Sequence, residues 1–216
     1  MTATMSVSES ENVPAADRRN LVIVGATGMV GGYALRYALA HPAVGRVTTI
    51  GRRKVGISHP KLNEVIHQDF ANCSALAQVL SDQHAAIFCL GAYTGTVSDT
   101  ELRTITVDYT IEFARVLHGS NPDAAFAFLS GSGADPTGRS RMSFARYKGE
   151  ADNALLAKGF ASVFIFRPAY IYQWRRGGSR ISATAYYARS IRHFGCYFPA
   201  RSFEPTTWPE PWCMSR

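Results

Sequence analysis

The run Leu21-Val22-Ile23-Val24-Gly25-Ala26-Thr27-Gly28-Met29-Val30-Gly31-Gly32 constrains this chain more than any other stretch. Four consecutive apolar residues, Leu21 to Val24, suit a strand buried on both faces, and the change to helical spacing at Val30, Ala34, Leu35, Ala38 and Leu39 announces a helix directly after it. Between them, Gly25 permits a sharp turn, Gly28 lets backbone approach a pyrophosphate with no Cβ in the way, and Gly31 allows the helix to pack closely on the strand. Phosphates would then sit on the helix N-terminus beside Thr27, Met29 and Val30, where free N–H groups and the macrodipole favour negative charge. The spacing is Gly-x-x-Gly-x-x-Gly, one residue longer in its first interval than the commoner dinucleotide pattern. Glycines also mark plain turns, so it is the position between buried strand and amphipathic helix that carries the dinucleotide reading.

Which dinucleotide follows from the second strand, Val47 to Ile50. Where an NAD-specific site carries Asp or Glu for the ribose 2′-hydroxyl, this chain has Gly51-Arg52-Arg53, followed by Lys54. Guanidiniums without a carboxylate fit a 2′-phosphate, which points to NADP(H) bound through Arg52 and Arg53; a solvated basic turn is the alternative.

The rest of the chain alternates strand and helix. His41-Pro42 stops the first helix. A short third strand, Glu64 to His67, leads to Asp69 and Phe70, where side chains could meet an adenine; an Asp there serves equally well as a cap. After a helix over Ser74 to Leu80, the apolar run Ala85 to Leu90 ends in a second glycine-bearing loop, so Leu90, Gly91 and Ala92 are expected at the same binding edge. A long helix, about 99–117, precedes the strand Ala125 to Leu129 with its Ser130-Gly131-Ser132-Gly133 terminus; a helix over about 143–157 precedes the strand Ser162 to Phe166 and Arg167-Pro168. Six such strands specify a doubly wound α/β fold, a parallel Rossmann-type sheet with right-handed crossovers.

At 216 residues, 46% of them hydrophobic, the chain suits a single core. No apolar run is long enough to span a bilayer, and residues 1–16 lack the apolar centre of a signal peptide. The expectation is a disordered tail over 1–18, a dinucleotide-binding domain over 19–172 and a cytoplasmic protein. Cys73, Cys89, Cys196 and Cys213 show neither Cys-x-x-Cys pairing nor metal-ligand spacing, so free thiols and no metal are expected. The net charge of +7 comes without a nucleic-acid-binding motif, and many arginines fall where an anionic cofactor would lie.

Taken together, Gly25-Ala26-Thr27-Gly28-Met29-Val30-Gly31, Ile50-Gly51-Arg52-Arg53, Cys89-Leu90-Gly91, Leu129-Ser130 with Ser132-Gly133-Ala134-Asp135, Lys148-Gly149-Glu150 and Phe166-Arg167-Pro168 resemble the atypical short-chain dehydrogenase/reductases of the Tat-interacting-protein type. The resemblance covers about 20–172 and implies an NAD(P)H-binding oxidoreductase acting on a small carbonyl or alcohol. It also implies a Ser, a Tyr and a Lys four residues after the Tyr. In such a set the ammonium lowers the phenol pKa and holds the ribose, the phenol exchanges a proton with substrate, and the hydroxyl polarises the substrate oxygen. Lys148 matches the Lys, and Ser130 or Ser132 could supply the hydroxyl, but the Tyr position is Phe144. A phenyl ring exchanges no proton. Tyr147, Tyr93, Tyr170 or water are the substitutes to consider, although Tyr147 lies about 100° around the helix from Lys148. Two functions therefore stand at this level: a reductase or dehydrogenase with another proton donor, and a non-catalytic NADP(H) sensor.

Beyond Gln173 the chain offers Trp174, Arg175, Arg176, Tyr186, Tyr187, Arg189 and Arg192, a basic aromatic set that suits an anionic substrate, a partner, a peripheral membrane contact or a solvated helix face. The ending, Phe203-Glu204-Pro205-Thr206-Thr207-Trp208-Pro209-Glu210-Pro211-Trp212-Cys213-Met214, has no apolar period. Read one nucleotide earlier, a permitted codon set for it spells Ile-Arg-Ala-Asp-Asp-Leu-Ala-Arg-Ala-Met-Val-His-Val, a phrase of the resembled family. A single-nucleotide frameshift near Ser202 is the expectation, and the gene's nucleotide sequence checks it.

Overall fold

Hydrophobic alternation along the central strand sets the layers. In the computed structural model, which describes residues 14–93, 95–169 and 171, β1 (Arg19–Val24) sends Val22 and Val24 to one side and Ile23 to the other. These side chains are fully buried. Strands β2 (Val44–Gly51), β3 (Leu62–Ile66), β4 (Ala85–Phe88), β5 (Ala125–Leu129) and β6 (Ser162–Phe166) join it in one sheet of order β3-β2-β1-β4-β5-β6. All five pairings are parallel. Two halves diverging from β1 are the doubly wound Rossmann arrangement expected from the sequence, and the crevice of such a sheet lies at the C-terminal strand ends, beside the switch between β1 and β4.

Helix α1 (Met29–Ala40) covers the Ile23 side through Leu35, Ala38 and Leu39, which meet Val44 and Val47. On the other side, α2 (Ala77–Leu80), α4 (Tyr109–Ser120) and α5 (Ser143–Leu156) enclose the larger core. Aromatic rings fill its centre: Phe88 lies 5.4 Å from Phe113, 6.1 Å from Phe126 and 6.3 Å from Phe128 between ring centroids. At about 150–250 Å² of surface per buried ring, these four residues dominate the apolar contribution of this layer.

Three elements differ from the sequence expectation. The third strand begins at Leu62, because its register is set by pairing with Val47 through Gly51 rather than by its own short apolar run. The segment after Cys73 starts as a 3₁₀ turn, Ser74–Leu76, before α2. The long helix is interrupted: α3 (Asp99–Arg103), capped by Ser98 accepting the Glu101 N–H, passes through a π-helical turn, Thr104–Asp108, into α4. Thr104, Ile105, Thr106 and Val107 are all β-branched, and such residues crowd the preceding helical turn, which favours a wider local winding.

Residues 1–13 of the expected tail, Thr94, Tyr170, Cys196, Cys213 and the whole basic aromatic segment from 172 onward, with its proposed shifted reading frame, lie outside the described residues, whereas Ala15–Asp17, assigned to the disordered tail from sequence, form a 3₁₀ turn leading into β1. Among the described residues no helix is long and apolar enough to cross a membrane.

Candidate active site

The glycine loop forms where β1 meets its switch-point neighbour. Gly25 has φ +83°, and a Cβ on it would stand 2.8 Å from the Cys89 carbonyl carbon and 2.9 Å from the Leu90 nitrogen. Only glycine lets the loop lie against the end of β4 in this way. Gly31 is pressed as closely on the loop itself, 2.7 Å from a would-be Cβ to the Gly25 carbonyl carbon. Gly28 is the N-cap of α1, and no side chain caps that helix end. The first turn holds no acidic residue, so the backbone amides and the positive end of the helix keep the character of an anion-binding terminus.

In front of this loop lies a cavity of about 280 Å³. Its lining includes Gly25, Ala26 and Thr27 from the loop, Arg52 and Arg53 after β2, Phe70 after β3, and Leu90 after β4. The structure thus brings together four stretches that the sequence placed apart. It adds Thr49, Val55, Glu64, Val65 and Ile66, which sequence reasoning passed over because their inclusion depends on the β2–β3 register. Glu64 is the acidic member of the lining, and one of its oxygens accepts the Val55 N–H at 2.7 Å, tying it to the basic turn. The fit to a dinucleotide rests on this cradle: an uncapped helix end, a glycine where a side chain would intrude, and adjacent guanidiniums. Asp69 accepts the Ala71 N–H at 3.0 Å in a turn ahead of the 3₁₀ segment, whose N-cap position is Cys73, so it is not that segment's cap.

Farther along the same edge, α5 presents Lys148 and Phe144 to the end of β5. Lys148 is 7% exposed; its Nζ donates to the Leu129 carbonyl at 2.7 Å and stands 4.6 Å from the Phe128 ring centroid. Burial pulls its pKa from 10.5 to about 8, against the opposing pull of Asp152 and Cys89. Burial also pushes the Cys89 thiol up to about 11. Ser130 is buried with no hydrogen-bond partner for its hydroxyl, whereas Ser132 is exposed and its N–H donates to the Pro168 carbonyl at 3.0 Å.

Phe144 packs on Gly131. A Cβ at 131 would lie 2.5 Å from its Cζ, the ring atom that bears the hydroxyl in tyrosine. Tyr147 points elsewhere: its hydroxyl donates to Asp99 at 2.6 Å, on the exposed side of α5, and that bond raises the phenol pKa. Tyr93 is 75% exposed. Arg167 donates through Nε and Nη2 to one oxygen of Asp152, at 2.9 and 2.7 Å. Asp152 is fully buried, and its other oxygen has no partner. This ion pair was not foreseen, although Asp152 follows Lys148 by one helical turn and the spacing alone could have suggested a carboxylate behind the lysine.

A sequence model of the NAD dependent epimerase/dehydratase family matches residues 21–143. Among curated proteins, fmp52 of Emericella nidulans, named a mitochondrial protein, is 30% identical over 172 residues, covering 77% of this chain and 72% of that one. Protein HTATIP2 of Rattus norvegicus is 25% identical over 155 residues, covering 71% of this chain and 63% of its own length. Among solved structures, a short-chain dehydrogenase from Burkholderia cenocepacia in complex with NADP superposes with a TM-score of 0.59 at 17% identity, covering 72% of this chain and 73% of that one. The Bordetella bronchiseptica enzyme WbmG in complex with NAD gives 0.58 at 14%, and the chain spans 54% of its length. The cytoplasmic expectation is overturned here, since the fungal fmp52 relatives are named mitochondrial. That expectation rested on the lack of an apolar signal-peptide core and of a spanning run, and a mitochondrial location requires neither.

Proposed function

This chain belongs to the NAD dependent epimerase/dehydratase family, in its atypical short-chain dehydrogenase/reductase branch, and we propose that it is an NADP(H)-dependent oxidoreductase of a small carbonyl or alcohol. The observation that carries the reading is the cavity in which the Gly25–Thr27 loop, Arg52 and Arg53 converge. Residues 25–31 would hold the pyrophosphate at the α1 N-terminus, and Arg52 and Arg53 the 2′-phosphate. Glu64, the acidic group in the lining, accepts the Val55 N–H through one of its oxygens. When bound, the nicotinamide supplies or accepts a hydride. Lys148 orients the ribose, Ser130 offers its free hydroxyl to the substrate oxygen, and Leu90, Gly91 and Ala92 border the switch point.

Titration of the full-length protein with NADPH and NADH, followed by calorimetry or nucleotide fluorescence, tests this. A guanidinium–phosphate hydrogen bond contributes about 1.5–3 kcal/mol, so NADPH should bind roughly tenfold to a hundredfold more tightly. Arg52→Ala with Arg53→Ala should remove most of that preference. Equal affinities in the unmutated protein refute the NADP(H) assignment, and no binding of either refutes the oxidoreductase reading.

A further inference from the structure

Reduction of a carbonyl requires a proton source, and at position 144 this chain has none. The ring there is packed against Gly131 and bears no hydroxyl. Tyr147, beside the lysine in sequence, is bound to Asp99 on the outside of α5. At the end of β5, by contrast, stands an ammonium group with a single hydrogen-bond partner among the described residues, the Leu129 carbonyl. The next residue is Ser130, whose hydroxyl is buried and unpartnered.

On the oxidoreductase reading above, we propose that Lys148 is itself the general acid, delivering the proton that a phenol at position 144 would otherwise provide. The groups facing Nζ fit that task. From β5 come the Leu129 carbonyl and the Phe128 ring, from just past β4 the Cys89 thiol, and from its own helix Asp152. Asp152 is committed through one oxygen to Arg167, beyond β6, and forms no ion pair with Lys148. An ammonium taken out of water without a contacting carboxylate gives up its proton readily. Its pKa near 8 keeps the acid form predominant at neutral pH while leaving it a far better donor than an exposed lysine. Cys89, pushed up to about 11, stays neutral across that range and does not compete.

The step balances with the reduced nicotinamide dinucleotide as reductant. The carbonyl carbon receives a hydride and the C=O π pair moves onto oxygen. That oxygen takes a proton as the Nζ–H bond breaks, directly or through one intervening hydroxyl, and the neutral amine left behind recovers a proton from solvent. Oxidation of the alcohol runs the same events in reverse, with the amine as base.

The test uses the full-length protein with NADPH and two carbonyl probes, 9,10-phenanthrenequinone and 4-nitrobenzaldehyde, together with the ¹⁵N resonance of Lys148 Nζ, assigned by its loss in Lys148→Met. The expected result is that kcat for reduction falls with rising pH through an inflection that coincides with the NMR midpoint. Lys148→Arg, which keeps the charge and the donors but releases no proton in this range, should lose about 10²–10⁴-fold in kcat at saturating NADPH. Phe144→Tyr should move the inflection, because a phenol then shares the task. A Lys148→Arg variant turning over at the unmutated rate, a kcat profile that ignores the NMR midpoint, or NADPH binding with neither probe reduced would each overturn the proposal. Failure to bind either NADPH or NADH would instead refute the oxidoreductase reading on which it stands.

Discussion

Gly149 in α5 offers a perturbation whose sign alone decides between two accounts. Helix propensity says that glycine to alanine within a helix stabilises by about 0.8–1 kcal/mol. The structure says the reverse, because a Cβ at Gly149 would stand 2.6 Å from the Pro136 nitrogen and closer still to the Asp135 carbonyl. Atoms in contact settle near 3.5–4.0 Å, so the backbone of this loop would have to retreat by roughly 1 Å. The loop cannot retreat freely. The Asp135 N–H donates to the Ala145 carbonyl at 2.8 Å, Asn153 donates to the Pro136 carbonyl at 2.8 Å, and Asp135 itself accepts from Thr137 and Ser140. Overpacking costs typically about 1–3 kcal/mol, and the two loop-to-helix hydrogen bonds about 1 kcal/mol each, so Gly149→Ala should destabilise by about 2–4 kcal/mol after the propensity gain. At about 2–4 °C per kcal/mol, Tm should fall by around 10 °C. Gly119→Ala in α4 is the control: nothing lies within 4 Å of a Cβ there, so it should be neutral to stabilising by about 1 kcal/mol. Urea melts of both variants read the difference. If Gly149→Ala is as stable as the unmutated chain, the close approach of loop and helix is refuted.

Asp152→Asn should destabilise by about 1.5–3 kcal/mol, the worth of a charge-assisted hydrogen bond, because Arg167 is 44% exposed and recovers part of its solvation; an unchanged urea midpoint would count against the pair. Lys148 should make stability depend on pH. Its folded-state pKa is depressed from 10.5 to about 8, so between those values the unfolded chain holds a proton that the folded chain has released, and unfolding free energy should rise across the window. At 1.36 kcal/mol per pH unit the full rise is about 3 kcal/mol. Comparison with Lys148→Met isolates it from the cysteines, whose raised values act in the opposite sense; a constant difference between the two proteins from pH 8 to 10.5 would refute the burial effect.

The parts of the fold that were legible in sequence are those decided locally. Continuous apolar runs such as Val22 to Val24, and the alternation through Phe126 and Phe128, mark buried strands whatever their partners. The switch of period after Gly25 marks α1, and the order of elements fixes a doubly wound sheet. What escaped depends on partners distant in sequence. Glu64 enters the cavity only because Gly51 pairs with Ile66, and no periodicity states that register. Asp152 reads as one more charge on an amphipathic helix until β6 brings Arg167 to it. Tyr147 adjoins Lys148 and so suggests a proton donor, but Asp99 at the start of α3, 48 residues away in sequence, claims its hydroxyl. Asp69 stays undecided at the level of sequence because a turn and a ligand use the same carboxylate in the same place.

The strand order has a consequence for a chain leaving the ribosome. β1 is made first and lies at the centre of the finished sheet, but one of its two partners, β4, emerges only after α1, β2, β3 and α2. At about 5–20 residues per second, the edge of β1 that will receive β4 waits several seconds with unpaired amides and carbonyls, flanked by Val22, Ile23 and Val24. Loop closure on this scale makes the pairing slow as well as late. The nascent chain therefore carries a strand with three fully buried apolar residues through the period when it has least to cover it with. Synonymous codons that slow or hasten elongation between Val24 and Ala85 would be expected to alter the yield of soluble protein without altering a single residue.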